Sequence, residues 1–176
     1  MAKKRIAKTA RRQSAVLETS VLVNFLRLDI VGLLAQHPLY RFVVTDHVRA
    51  EVTGDYSDQV LRFEKALSDK IFDLASVDSL NPVFVKLSQE GRYGAGECAA
   101  IALAVEKNIP IAIDDKRARK AAQNISEHVT LENTESLMID LIKAGVLDVA
   151  TADAIKAELE TNHRFKFIFQ SFADKL

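Results

Sequence analysis

Five carboxylates stand where short apolar runs of this sequence give way to polar residues, and that placement carries chemistry. Glu18 closes the run Ser14-Ala15-Val16-Leu17 and is followed by Thr19 and Ser20. Glu51 lies in the segment after a second run, Arg41 to Val44. Glu97 follows Gly94-Ala95-Gly96 and opens an alanine-rich stretch, while Asp114 and Asp115 end a third run, Ile109 to Ile113. If the runs are strands of one parallel sheet, their ends face a common crevice, the usual ligand position in open α/β sheets. Acids gathered there repel one another unless a cation sits among them. Mg2+ or Mn2+, hard ions that prefer oxygen ligands, would relieve the repulsion and could activate water for in-line attack on a phosphodiester.

Each acid alone has a plainer use. Glu97 would suit the positive end of a helix dipole, and Asp114 or Asp115 would cap the helix that follows. Glu51 reads equally as one acid on a solvated helix face, and Glu18 as an idle strand end. Their joint placement at successive strand ends is what points to a site. Thr19 and Ser20 either orient a ligand or cap a helix. Lys116, Arg117, Arg119 and Lys120 follow the last acids directly and either meet RNA phosphates or form a solvated face.

Other chemistries fit poorly. The one cysteine, Cys98, excludes an internal disulfide or a thiolate cluster, and the four histidines lack metal-binding spacing, which argues against zinc. No Gly-x-Ser-x-Gly elbow is present. An aspartyl phosphotransfer fold needs aspartate after its first strand, where Glu18 stands.

These residues need elements to position them. The apolar spacing predicts strands at 14–18, 41–44 and 109–113, with minor strands at 72–77 and 129–130. Val21, Leu22, Phe25, Leu26, Ile30, Leu33 and Leu34 recur at helical spacing, so one or two helices reach His37-Pro38. Thr45 is placed to cap a helix bearing Val48, Glu51 and Val52. Residues 58–69 form an amphipathic helix with Val60, Leu61, Phe63 and Leu67 on one side. A helix over 83–90 stops at Gly91. The next, 97–107, is apolar almost all round, hence buried on most faces, and Asn108 and Pro110 end it. A basic helix covers 116–123, and three amphipathic helices cover 134–145, 151–160 and 164–175. The alternation predicts an α/β fold, three layers with a central parallel sheet between helices, plus C-terminal helices.

The expected division is a basic, flexible arm over 1–13, a domain over 14–131 and a helical C-terminal extension over 132–176 packed on it. The arm carries Lys3, Lys4, Arg5, Lys8, Arg11 and Arg12 without an acid; since the chain has 24 basic and 24 acidic residues, the rest is left with 18 against 24. Such an arm is either solvated or a contact for nucleic-acid phosphates. No apolar run approaches membrane-spanning length and the N-terminus lacks a secretory pattern, so no membrane partner and a cytoplasmic location are expected.

Four segments resemble the motifs of PIN-domain proteins, the fold of the VapC-type toxin ribonucleases. They are Val16-Leu17-Glu18-Thr19-Ser20-Val21-Leu22-Val23, then Val43-Val44-Thr45-Asp46-His47-Val48-Arg49-Ala50-Glu51-Val52, then Gly94-Ala95-Gly96-Glu97-Cys98-Ala99-Ala100-Ile101-Ala102-Leu103-Ala104, and Ile111-Ala112-Ile113-Asp114-Asp115-Lys116-Arg117-Ala118-Arg119. The likeness spans about 14–130. The stretch Leu141-Ile142-Lys143-Ala144-Gly145-Val146-Leu147 resembles the helical extension of one PIN subgroup. The resemblance implies a ribonuclease dependent on Mg2+ or Mn2+. In it, Glu18, Glu97 and Asp115 (or Asp114) hold the ion, and Glu51 binds a second ion or a coordinated water. It also implies an RNA substrate, a homodimer, and a small antitoxin partner if the chain is a toxin. There is one departure, because the family usually has aspartate where this chain has Glu18. The added methylene moves the carboxylate by roughly 1.5 Å, in a kind of site where about 1 Å can cost on the order of 100-fold in rate. The alternative is therefore a PIN-like RNA-binding or protein-interaction scaffold with weakened catalysis.

Overall fold

Ala15, Val16 and Leu17 are three apolar residues in a row, a pattern suited to a strand covered on both faces. They are fully buried in β1 (Gln13–Leu17), the central strand of a five-stranded sheet. The computed structural model describes residues 11–52 and 57–176. β1 pairs in parallel with β2 (Tyr40–Thr45) on one side and with β4 (Ile111–Ala112) on the other. β3 (Phe72–Ala75) and β5 (Leu131–Glu132) extend the sheet outward, again in parallel, giving the order β3-β2-β1-β4-β5.

Helices cover both faces. One core joins α1 (Thr19–Arg27), α2 (Asp46–Val52) and α3 (Ser57–Ser68) to α7 (Thr134–Lys143) and α8 (Val149–Asn162). Phe25, Phe42, Phe63 and Phe72 are its largest fully buried side chains in and around the sheet. The other core lies under α4 (Pro82–Glu90), α5 (Ala95–Lys107) and α6 (Lys116–Ile125). Gly96 and every residue from Cys98 to Ala104 are buried in α5, and the glycine and alanines among them let the helix sit close to its neighbours. The expected three-layer α/β/α architecture with additional C-terminal helices is therefore the one observed. Among the described residues no helix is long and apolar enough to cross a membrane.

Several sequence expectations need correction. The third C-terminal helix does not form; after α8 the chain turns at Arg164 (φ 55) and ends in a 3-10 turn, Phe172–Lys175. Phe165, Phe167 and Phe169 alternate along the chain and pack ring to ring at 4.9 and 5.4 Å. The backbone N–H groups of Phe167 and Phe172 donate to Glu160 and Asp153 of α8, so these donors are satisfied without a helix. In α3, Leu61 is 70% exposed and the buried polar residue is Gln59, because the stripe facing the sheet runs through Gln59, Phe63 and Ala66. The third long strand shrinks to Ile111–Ala112, and the last strand lies two residues later than expected, at Leu131–Glu132. α5 starts at Ala95, so Glu97 is its third residue and not its first. The arm expected over 1–13 lies outside the described residues as far as residue 10.

Candidate functional site

The acids are positioned by helix starts that follow strand ends. Glu18 sits one residue beyond β1 in an extended conformation (φ −87, ψ 160) and caps α1. Its Oε2 accepts from the Ser20 backbone N–H at 2.9 Å and from the Ser20 hydroxyl. The same Ser20 Oγ accepts from the Asp114 N–H at 3.1 Å, so its proton is free to point at Glu18. Ser20 thus ties the end of β1 to the end of β4, and the side chain of Glu18 is only 2% exposed.

Glu51, in the last turn of α2, reaches the start of α5. Its Oε1 accepts from the Gly96 N–H at 2.7 Å and its Oε2 from the Thr19 hydroxyl. This approach requires glycine at 96, because a Cβ there would stand 2.2 Å from Glu51 Oε2. A carboxylate at the positive end of a helix is favoured by the helix dipole as well as by the hydrogen bond. Glu97 uses its Oε2 to accept from the Gly94 N–H at 2.8 Å, capping its own helix.

Asp114 and Asp115 part company. Asp115 caps α6, its Oδ1 accepting from the Arg117 and Ala118 N–H groups at 2.9 Å each. Asp114 turns into the protein. Its Oδ1 accepts from the Thr134 N–H at 2.9 Å, and its Oδ2 from the Thr134 hydroxyl at 2.6 Å and Asn24 Nδ2 at 3.1 Å.

The acids therefore divide by how their oxygens are used. Glu51 and Asp114 have both oxygens engaged by protein donors. Glu18, Glu97 and Asp115 have one oxygen engaged, and among the described residues no donor meets the other. Burial pushes the Glu18 carboxyl up to about 7, against the Ser20 hydrogen bonds, and the charges of Glu97 and Glu51 push the same way. Burial also raises the Glu97 carboxyl, with further contributions from Asp115 and Glu51 and opposition from the Gly94 N–H and Arg117. Asp114 is raised by burial, partly offset by its Thr134 and Asn24 hydrogen bonds and by Arg119. Glu18, Glu51, Glu97 and Asp115 thus form one chain of mutually repelling carboxylates. Among the described residues no three His, Cys, Asp or Glu side chains converge tightly enough to cage an ion outright.

Of the expected basic contacts, Lys116, Arg117 and Lys120 are exposed. Arg119 is turned inward, its Nη1 donating to the carbonyls of Ile113 at 2.8 Å and Glu132 at 2.6 Å, which fastens the ends of β4 and β5. Sequence reasoning did not single out Asn24 or Thr134. A polar residue three positions after Val21, on an otherwise apolar stripe, was the available signal for Asn24. Thr134 gave none, since its partner lies twenty residues away.

A family model described as a PIN domain matches residues 14–166. Among solved structures, a PilT N-terminus domain protein from the hyperthermophilic archaeon Sulfolobus solfataricus P2 is similar with a TM-score of 0.51 and 21% sequence identity. The similarity covers 77% of this chain and 94% of that one. No match is found among curated proteins.

Proposed function

This chain belongs to the PIN-domain family, and from that premise we propose that its acidic crevice hydrolyses RNA phosphodiester bonds with the help of Mg2+ or Mn2+. The observation that carries the reading is the division of the acids into two groups. Among the described residues Glu18, Glu97 and Asp115 each keep one oxygen clear of protein donors, which leaves that oxygen open to a cation. Glu51 and Asp114, with both oxygens engaged, act as struts. Asp114 braces the end of β4 through Thr134 and Asn24, which leaves Asp115 as the ligand of the pair. The donors are all carboxylate oxygens, which fits a hard divalent cation; Mg2+ in particular is commonly held by one or two carboxylates and several waters, with no cage of protein ligands. When bound, the cation would neutralise the phosphate and lower the pKa of a nearby water.

The chain's own residues prepare that chemistry. Burial holds the Glu18 carboxyl near 7 and raises that of Glu97 as well, and a cation bound beside them would favour the ionised forms. Thr19 and Gly96 fix Glu51 at the crevice wall, where it can accept a hydrogen bond from a water if either contact loosens. Lys116, Arg117 and Lys120 offer phosphate contacts beside the acids. None of these groups presents a base-reading surface, so selection among RNAs would rest on shape.

One observation favours a second reading, a scaffold that binds without cutting: no three of the acids form a ready cage. Cleavage of a labelled RNA pool with Mn2+, Mg2+ or EDTA separates the two. The nuclease requires products that depend on metal and vanish in Glu97→Gln. Identical traces for both proteins, with circular dichroism unchanged, leave the scaffold.

A further inference from the structure

The sheet has a second polar edge, opposite the acids. A cavity of about 760 Å³ opens where β1, β2 and β3 begin, lined by Arg11, Arg12, Ser14, Gln36, Arg41 and Asp73 among others. Ser14, Arg41 and Asp73 are each the second residue of their strand, and Ser14 and Arg41 are register partners. Glu18 lies four residues further along from Ser14, which is roughly 13 Å at strand rise. This cavity is therefore separate from the acidic crevice. Lys70 lines an adjoining recess that shares Arg12, Arg41 and Asp73.

Its charge is unbalanced. Three guanidinium groups face one carboxylate, and Lys70 adds a fourth cation next door. Arg12 is held by the carbonyls of Ala35 at 2.6 Å and His37 at 3.4 Å, contacts that fix the side chain without neutralising it. Arg11 and Arg41 are exposed, and among the described residues neither has an ion-pair partner. His37 contributes no charge at neutral pH, since burial lowers its pKa to about 4. Like charges crowded around a concavity raise the energy of the empty state, and a polyanion relieves it. Guanidinium forks match phosphate oxygens in pairs. In the sequence, Lys3, Lys4, Arg5 and Lys8 precede Arg11 with no intervening acid, so the positive charge belongs to a tract. A tract favours a long polyanion over a single free phosphate.

We propose that the Arg11–Arg12–Arg41 cavity is a second RNA-binding site, gripping the phosphodiester backbone on the edge of the sheet opposite the acidic crevice. The identity of the polyanion as RNA rests on the ribonuclease reading, whereas the grip itself does not need cleavage.

The test uses the full chain and a fluorescein-labelled single-stranded RNA 20-mer in EDTA, read by anisotropy between 50 and 200 mM salt. Each phosphate contact contributes about 0.7 to the slope of log affinity against log salt for single strands. Arg11→Gln/Arg41→Gln is therefore expected to lower that slope by about 1.4 and to weaken binding on the order of tenfold at 0.1 M salt. Both side chains are exposed and, among the described residues, without an ion-pair partner, so the fold should be retained, and circular dichroism verifies it. An unchanged slope and affinity overturn the proposal. So does competition by poly-glutamate as strong as that by unlabelled RNA of equal charge, which would assign the cavity to an acidic protein partner. Metal-dependent cleavage is measured separately, so loss of the grip and absence of nuclease activity give different results.

Discussion

Replacing Glu18 by glutamine should make this protein more stable at neutral pH while disabling its site. Glu18 is 2% exposed, and burial raises its carboxyl from 4.5 to about 7. A raised carboxyl contributes full stability below pH 4.5 and loses it as pH climbs to about 7, because the unfolded chain ionises first. One pKa unit is worth about 1.36 kcal/mol, so the mismatch costs about 3 kcal/mol at pH 7. Glutamine has no charge to bury, and its amide oxygen can accept both Ser20 contacts in place of Glu18 Oε2. For a chain of this size, about 3 kcal/mol corresponds to roughly 6–12 °C in Tm. Urea melts of both proteins, followed by circular dichroism from pH 4.5 to 7.5 without divalent metal, read the effect. The reasoning requires a gap between variant and wild type that widens with pH and levels off above about 7. A gap that is constant across the range, or a wild type more stable at pH 7.5, refutes it.

His37 carries the opposite dependence. Burial lowers its pKa from 6.5 to about 4, so stability is lost as pH falls from 6.5 to 4, again by about 3 kcal/mol. In the wild type this opposes Glu18 and flattens the profile between pH 4.5 and 6.5; in Glu18→Gln only the raised Glu97, Asp114 and Asp140 carboxyls oppose it, and the same melts should show a profile tilted further towards stability at higher pH than in the wild type. Gly96→Ala drives a Cβ to within 2.2 Å of Glu51 Oε2, so the carboxylate must give up the Gly96 N–H. The expected cost is about 1–3 kcal/mol in urea denaturation and on the order of 100-fold in the proposed RNA cleavage. Gly94→Ala, whose nearest contact is 3.0 Å, should do less. Asn24→Ala removes a buried donor from Asp114 and should cost about 1–3 kcal/mol, and Asn24→Asp more, because it sets a second carboxylate beside the first. Equal stability of all three proteins in urea would rule out the bracing role given to Asn24.

How far the sequence carried depended on the range of the interactions. The apolar runs at Ala15–Leu17 and Phe42–Val44 give strands, and Thr45 caps α2 as expected, its hydroxyl accepting from the Val48 N–H at 3.2 Å. These are local effects of periodicity and capping. Asp114 and Asp115 were indistinguishable, since each can accept a hydrogen bond from a following N–H. What separates them is Thr134, brought in by the C-terminal part of the chain. The segment 164–175 misled because its aromatic residues satisfy a helical pattern, whereas their rings pack edge to face along an irregular chain held by acids of α8. Arg119 looked like one more exposed cation in a basic helix, and only the carbonyls at the ends of β4 and β5 reveal its other use.

The most direct test of the acidic crevice is a calorimetric titration of Mn2+ into the wild-type protein at pH 7, repeated in two buffers of different ionisation enthalpy. If Glu18 is a ligand with its carboxyl near 7, binding must displace its proton, and about half a proton per ion should appear in the buffer. In Glu18→Gln the Glu18 share of that proton release should be lost along with most of the affinity. Binding that releases no proton, or equal affinity in the two proteins, would contradict the assignment of Glu18 as a ligand; no binding at all would contradict the metal site itself.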